Sequence, residues 1–194
     1  MKKALLLIDI QNDFLPKGAL GIPEANEILP WVHRLLQLPF DRKIASQDWH
    51  PKEHVSFVHL WPIHCVAGSQ GAELAPPLHL VQFDRIIQKG THPDVDSYSA
   101  FFDNKRLYQT ELEQYLHQEK IDTLYVAGLA TDYCVKFTVL DALQLGFHVC
   151  VVQEACRGVN LHPQDVEHAW KEMEQAGAHL VSLSSVEKLW GGTG

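Results

Sequence analysis

Short, almost unbroken apolar runs alternate with segments of helical spacing along the whole chain. Residues 3–10 (KALLLIDI), 43–49 (KIASQDW), 84–90 (DRIIQKG), 122–129 (DTLYVAGL), 148–154 (HVCVVQE) and 178–183 (AHLVSL) read as six strands. Between them, residues 24–38, 106–120, 132–146 and 162–177 carry apolar positions three and four apart. The last two of these helices stop at Gly146 and Gly177, as a left-handed cap requires. A short closing helix covers residues 185–190, and the final GGTG is expected to fray. Strands that are apolar on both faces and separated by helices predict a parallel sheet covered on both sides. The expectation is an α/β fold with three layers, α-β-α, around a six-stranded, mainly parallel sheet.

One stretch breaks the rhythm. Residues 51–80 are rich in His, Pro and Gly and carry no period. A structureless run of that length is either disordered or functional, and the aromatic residues within and beside it argue against disorder. The chain is therefore expected to be one domain over 1–194, with an irregular insertion at about 49–82. With 46% hydrophobic residues, 194 residues can bury a full core unaided by disulfides. The net charge of −8 disfavours nucleic acid and anionic membrane as partners. Four cysteines without a CxxC pair, no signal-peptide pattern and no apolar stretch of membrane-spanning length predict a reduced, cytoplasmic protein.

In open parallel sheets, sites form beyond the carboxyl ends of the strands. Four strands deliver reactive groups there: Asp9 after the first, Asp48 and His50 after the second, Lys89 after the third and Cys134 after the fourth. Each has an ordinary reading. Asp9 could cap a turn, Lys89 could snorkel, and the histidines could be loop residues. Their convergence on one sheet edge is the stronger signal. Asp48 and His50, two apart on an extended chain, share a face. With His64, and with His54 nearby, they make a donor set suited to zinc, iron or manganese. Cys65, beside His64, is a weaker candidate ligand. Cys134 lies near a helix start, with Thr131 or Asp132 as candidate caps, where backbone N–H groups and the helix dipole favour a thiolate or an oxyanion. Cys150 inside the fifth strand reads as buried filler, and Cys156 as a loop residue.

The segments LLLIDIQNDF, SQDWHPKEHVSF, WPIHCVAGSQGA, QKGTHPDVDSYSAF and GLATDYCV, in that order, resemble the nicotinamidases of the isochorismatase-like cysteine hydrolase superfamily. The likeness covers nearly the whole chain. It implies an isochorismatase-like hydrolase fold and an Asp–Lys–Cys triad on Asp9, Lys89 and Cys134. It implies one divalent ion, zinc before iron or manganese, on Asp48, His50 and His64, with His54 outside the first ring of ligands or joining it in some members. It places a ring pocket on Phe14, Trp61 and Tyr98, a cis bond at Leu129–Ala130, and an oxyanion hole in the Ala130 and Cys134 amides. The implied reaction is hydrolysis of nicotinamide to nicotinic acid and ammonia through a thioester, in NAD salvage, with self-association left open. The competing readings are another small-amide or carbamoyl hydrolase of that superfamily, an isochorismatase, and a non-enzymatic metal or thiol protein.

Overall fold

A computed structural model describes residues 1–191; residues 192–194, which make up most of the stretch expected to fray, lie outside the described residues. The six strands are β1 (Lys2–Ile8), β2 (Arg42–Asp48), β3 (Arg85–Lys89), β4 (Ile121–Leu129), β5 (His148–Arg157) and β6 (His179–Val181). They form one sheet in the order β3-β2-β1-β4-β5-β6, and all five pairings are parallel. Helices α1 (Leu29–Leu36), α2 (Ser56–His59), α3 (Leu112–Gln118), α4 (Lys136–Gln144), α5 (Asp165–Gln175) and α6 (Leu183–Gly191) complete the chain.

Both faces of the sheet are covered, which is why β1 is buried without a break from Ala4 to Ile8. Leu5 and Leu7 pack with Val32, Leu35 and Val186 on the α1/α6 face. Ala4, Leu6 and Ile8 pack with Leu112, Val139 and Met173 on the α3/α4/α5 face. The winding direction changes between β1 and β4, so a crevice opens beyond their carboxyl ends. None of the described helices is long and apolar enough to cross a membrane.

The helices depart from expectation mostly at their starts. The segment 24–38 is two pieces, a 3-10 turn at Ala25–Ile28 and then α1, with Pro30 in its first turn. The segment 106–120 is helical only from Leu112. Arg106 takes φ +55°, Phe102 and Gln109 form an antiparallel bridge, and the Thr110 hydroxyl accepts the Leu112 amide. Gly146 and Gly177, at φ +91° and +111°, end their helices as expected. Cys156 lies inside β5 and is buried, because that strand runs on past a register shift to Arg157; Cys150 is half-buried. The insertion holds α2 and two 3-10 turns, and bridges pin it to the site: Gln11 with Leu74, and His50 with Val66.

Candidate active site

Lys89 is the hub of the site. Its side chain is buried at the end of β3, 1% exposed. Its Nζ donates to Asp48 Oδ1 at 2.5 Å, to the Ser97 carbonyl at 2.8 Å and to Cys134 Sγ at 3.4 Å, and lies 2.9 Å from Asp9 Oδ2. An ammonium this deep survives only with such partners. Burial opposes its charge, but Asp48 and Asp9 raise its pKa well above the ordinary lysine value. The three groups Asp9, Lys89 and Cys134 are brought together as expected. The direct Lys89–Asp48 pair was not foreseen, because Asp48 had been assigned only to the metal.

Asp9 follows β1 at φ +47°, a region costly for a residue with a Cβ. The Ser46 hydroxyl donates to its Oδ1 at 2.6 Å, and its own amide donates back to Ser46 Oγ at 3.2 Å. Its Oδ2 has no hydrogen-bond donor despite burial, although the Lys89 ammonium lies close. Carboxylate oxygens of Asp9 and Asp48 and the Cys134 sulfur all lie within 4.8 Å of one another. Burial, against the pull of Lys89, raises the Asp9 carboxyl above its ordinary value. Asp48 moves the other way: burial works against it, but Lys89 and His50 hold it well below. Two neighbouring carboxylates thus differ in kind, one basic and one fixed as an anion.

The Cys134 thiol is pushed well above its ordinary pKa, by burial first and by the Asp9 and Asp48 charges next, with Lys89 opposing. Burial thus works against the thiolate that the helix start and Lys89 favour. Cys134 sits in a π-turn, Thr131–Val135, that runs into α4. The turn is capped at Ala130 with no side-chain bond, so neither Thr131 nor Asp132 serves as its cap. The Ala130 carbonyl accepts both the Tyr133 and Val135 amides, skipping that of Cys134. The Leu129–Ala130 bond is cis. Gly128 lets β4 approach β1 closely, since a Cβ there would lie 2.2 Å from the Ile8 carbonyl oxygen.

Asp48, His50 and His64 gather on the other side of Asp48. Their ligand atoms lie within 4.8 Å, with His50 Nε2 3.5 Å and His64 Nε2 3.8 Å from Asp48 Oδ2. His50 Nδ1 is 2.9 Å from the Gly90 carbonyl, and His64 Nδ1 is 2.7 Å from the Pro62 carbonyl. A carbonyl only accepts, so both Nδ1 atoms carry the proton and both Nε2 atoms face Asp48 with a free lone pair. His50 Nε2 is buried without a partner. An orphaned imidazole lone pair beside a carboxylate fits a divalent ion. Gly90 makes this possible, since a Cβ there would stand 2.4 Å from His50 Cε1. His54 stacks on His50, with centroids 4.1 Å apart. Its Nδ1 takes the Ser56 amide and its Nε2 lies 3.3 Å from the Val95 carbonyl, while ligand atoms of His54, His50 and Asp96 lie within 4.8 Å of one another. Cys65 is fully buried, its amide given to Asp13, and it belongs to none of the ligand clusters among the described residues.

A narrow cavity opens onto both centres. Phe14, Trp61 and Tyr98 line it together with Ala130 and Cys134. Trp61 donates its indole N–H to the Tyr98 hydroxyl at 3.3 Å. Tyr133, Asp96 and Val159 also line it and were not singled out from the sequence. Tyr133 meets Trp61 and Tyr98 edge to face and could have been found as the aromatic neighbour of the cysteine. Gln11 was missed as well. Its side chain bonds the Asp48 amide and carbonyl and the Ala72 carbonyl, clamping the insertion to β2.

Residues 3–185 match the model of the isochorismatase domain family. The chain is 48% identical to a nicotinamidase of Escherichia coli (strain K12), with 97% of this chain and 99% of that protein aligned. It superposes on a structure from L. infantum solved in complex with nicotinate with a TM-score of 0.90 at 35% identity, covering 95% of this chain and 94% of that one. It superposes on a pyrazinamidase of Pyrococcus horikoshii solved in complex with zinc with a TM-score of 0.83 at 36% identity, covering 94% and 99%.

Proposed function

The chain belongs to the isochorismatase family, and on that footing we propose that it is a nicotinamidase, an amidohydrolase that releases ammonia and nicotinate from nicotinamide in NAD salvage. The observation that carries the mechanism is the reach of Lys89 to Asp9, Asp48 and Cys134 at once.

Asp9, basic for a carboxylate, takes the thiol proton of Cys134 as the sulfur attacks the carboxamide carbon. The Ala130 and Cys134 N–H groups receive the oxyanion that forms. Asp9 passes the proton to the amide nitrogen, the C–N bond breaks and ammonia leaves a thioester on Cys134. Water then attacks the thioester with Asp9 accepting its proton; the C–S bond breaks, and the proton returns to sulfur. Lys89 holds Asp9 and Cys134 in register and offsets the charge that passes between them. Phe14, Trp61 and Tyr98 hold the pyridine ring. Asp48, His50 and His64 would hold a divalent ion, zinc on our reading, which would supply a Lewis-acidic anchor for the substrate ring. We read residues 1–194 as one hydrolase domain in which the insertion at about 49–82 brings the metal and ring contacts to a cytoplasmic enzyme.

Ammonia release from nicotinamide, measured with and without a chelator, tests the reading. Turnover that chelation suppresses and zinc restores is the expected result. Turnover of N-carbamoyl compounds in preference to nicotinamide would overturn it.

A further inference from the structure

Asp132 lies two residues before Cys134 and is buried, 5% exposed. It does not cap its own turn. Its Oδ1 accepts the Val159 amide at 2.9 Å and its Oδ2 accepts the Asn160 amide at 2.7 Å. Both oxygens are therefore given to the loop between β5 and α5. Gly158 packs against the same carboxylate, and a Cβ there would stand 2.9 Å from Asp132 Oδ1. Asn160, at φ +52°, accepts the Val166 amide on its own Oδ1 at 2.9 Å, which ties the loop to α5. Between these anchors stands Val159, a wall of the substrate cavity.

We propose that Asp132 is a positioning residue that fixes the Val159 wall from the nucleophile's own turn, so that the width of the cavity is set relative to the attacking sulfur. The turn has its own support in the two amides bonded to the Ala130 carbonyl. Loss of Asp132 thus releases the loop and leaves the nucleophile in place. The consequence is a defect in holding a flat heteroaromatic amide, not in cleaving it.

This rests on the nicotinamidase reading, and two measurements separate the two claims. Asp132→Asn keeps the shape but turns an N–H donor toward one of the loop amides. It is expected to raise KM for nicotinamide by about tenfold while kcat stays within about twofold. In a Val159→Ala background the same change is expected to add little, because both act on one wall. A fall in kcat at unchanged KM, or effects that simply multiply, would overturn the proposal. Amide hydrogen exchange on the wild-type protein needs neither variant nor turnover. The Val159 and Asn160 amides are expected to exchange slowly for loop positions, and exchange at free-loop rates contradicts the latch. A wild-type protein inactive on nicotinamide refutes the activity and leaves that exchange result to decide the latch alone.

Discussion

Two lysine–carboxylate pairs of nearly equal length divide the molecule by purpose. Lys171 and Glu167 meet at 2.6 Å, one turn apart on α5, with both side chains more than half exposed. Lys89 and Asp48 meet at 2.5 Å between two strand ends, with the lysine side chain fully buried and that of the aspartate 7% exposed. The surface pair is screened by water and salt and contributes little. The buried pair has lost its hydration and holds only because Asp9, Ser97 and Cys134 share the ammonium. Equal distances therefore carry unequal meaning. A solvent-exposed pair can be removed without consequence, whereas the buried cluster is an arrangement that the fold sustains against its desolvation cost.

The largest break in that contrast is Lys89→Met. It removes the ammonium that two buried carboxylates share, with an expected loss of ~3–5 kcal/mol in denaturant unfolding and activity orders of magnitude down. Next is Gly90→Ala, which crowds the His50 ring off its carbonyl partner. Metal affinity, followed by competition with a chromogenic chelator, should weaken by about 10–100-fold. Smaller is Ser46→Ala, which deletes a hydrogen bond that lowers the Asp9 pKa. Asp9 must be ionised to accept the thiol proton, so kcat/KM rises as pH climbs through its pKa. In the wild type that acid limb is expected above the ordinary value of 3.8, and in Ser46→Ala higher still. The smallest is Lys171→Met, for which the melting temperature and activity should not change.

The strands were legible because burial on both faces writes each as a continuous apolar run, and Leu5 to Ile8 is the plainest case. The site was legible as a convergence of strand ends, because topology alone carries Asp9, Asp48, Lys89 and Cys134 to one edge. Helix starts were less so. The 106–111 segment has helical spacing, but a left-handed Arg106 and a strand-like bridge at Gln109 arise from tertiary contacts that no local period records. Cys156 was misplaced for a similar reason, as a register shift extends β5 beyond its apolar run. The helix start argues for a thiolate at Cys134, while the degree of burial, which argues against one, is invisible in sequence. The Lys89–Asp48 contact was hidden because one carboxylate faces the lysine with one oxygen and two histidines with the other.

The central claim is that Cys134 becomes acylated during turnover. Rapid acid quench of the enzyme with nicotinamide, followed by peptide mapping in a mass spectrometer, tests it most directly. The account predicts a nicotinoyl group on the peptide bearing Cys134, absent from Cys134→Ala, which should release no ammonia. Ammonia release by Cys134→Ala, or acylation at another residue, would contradict it.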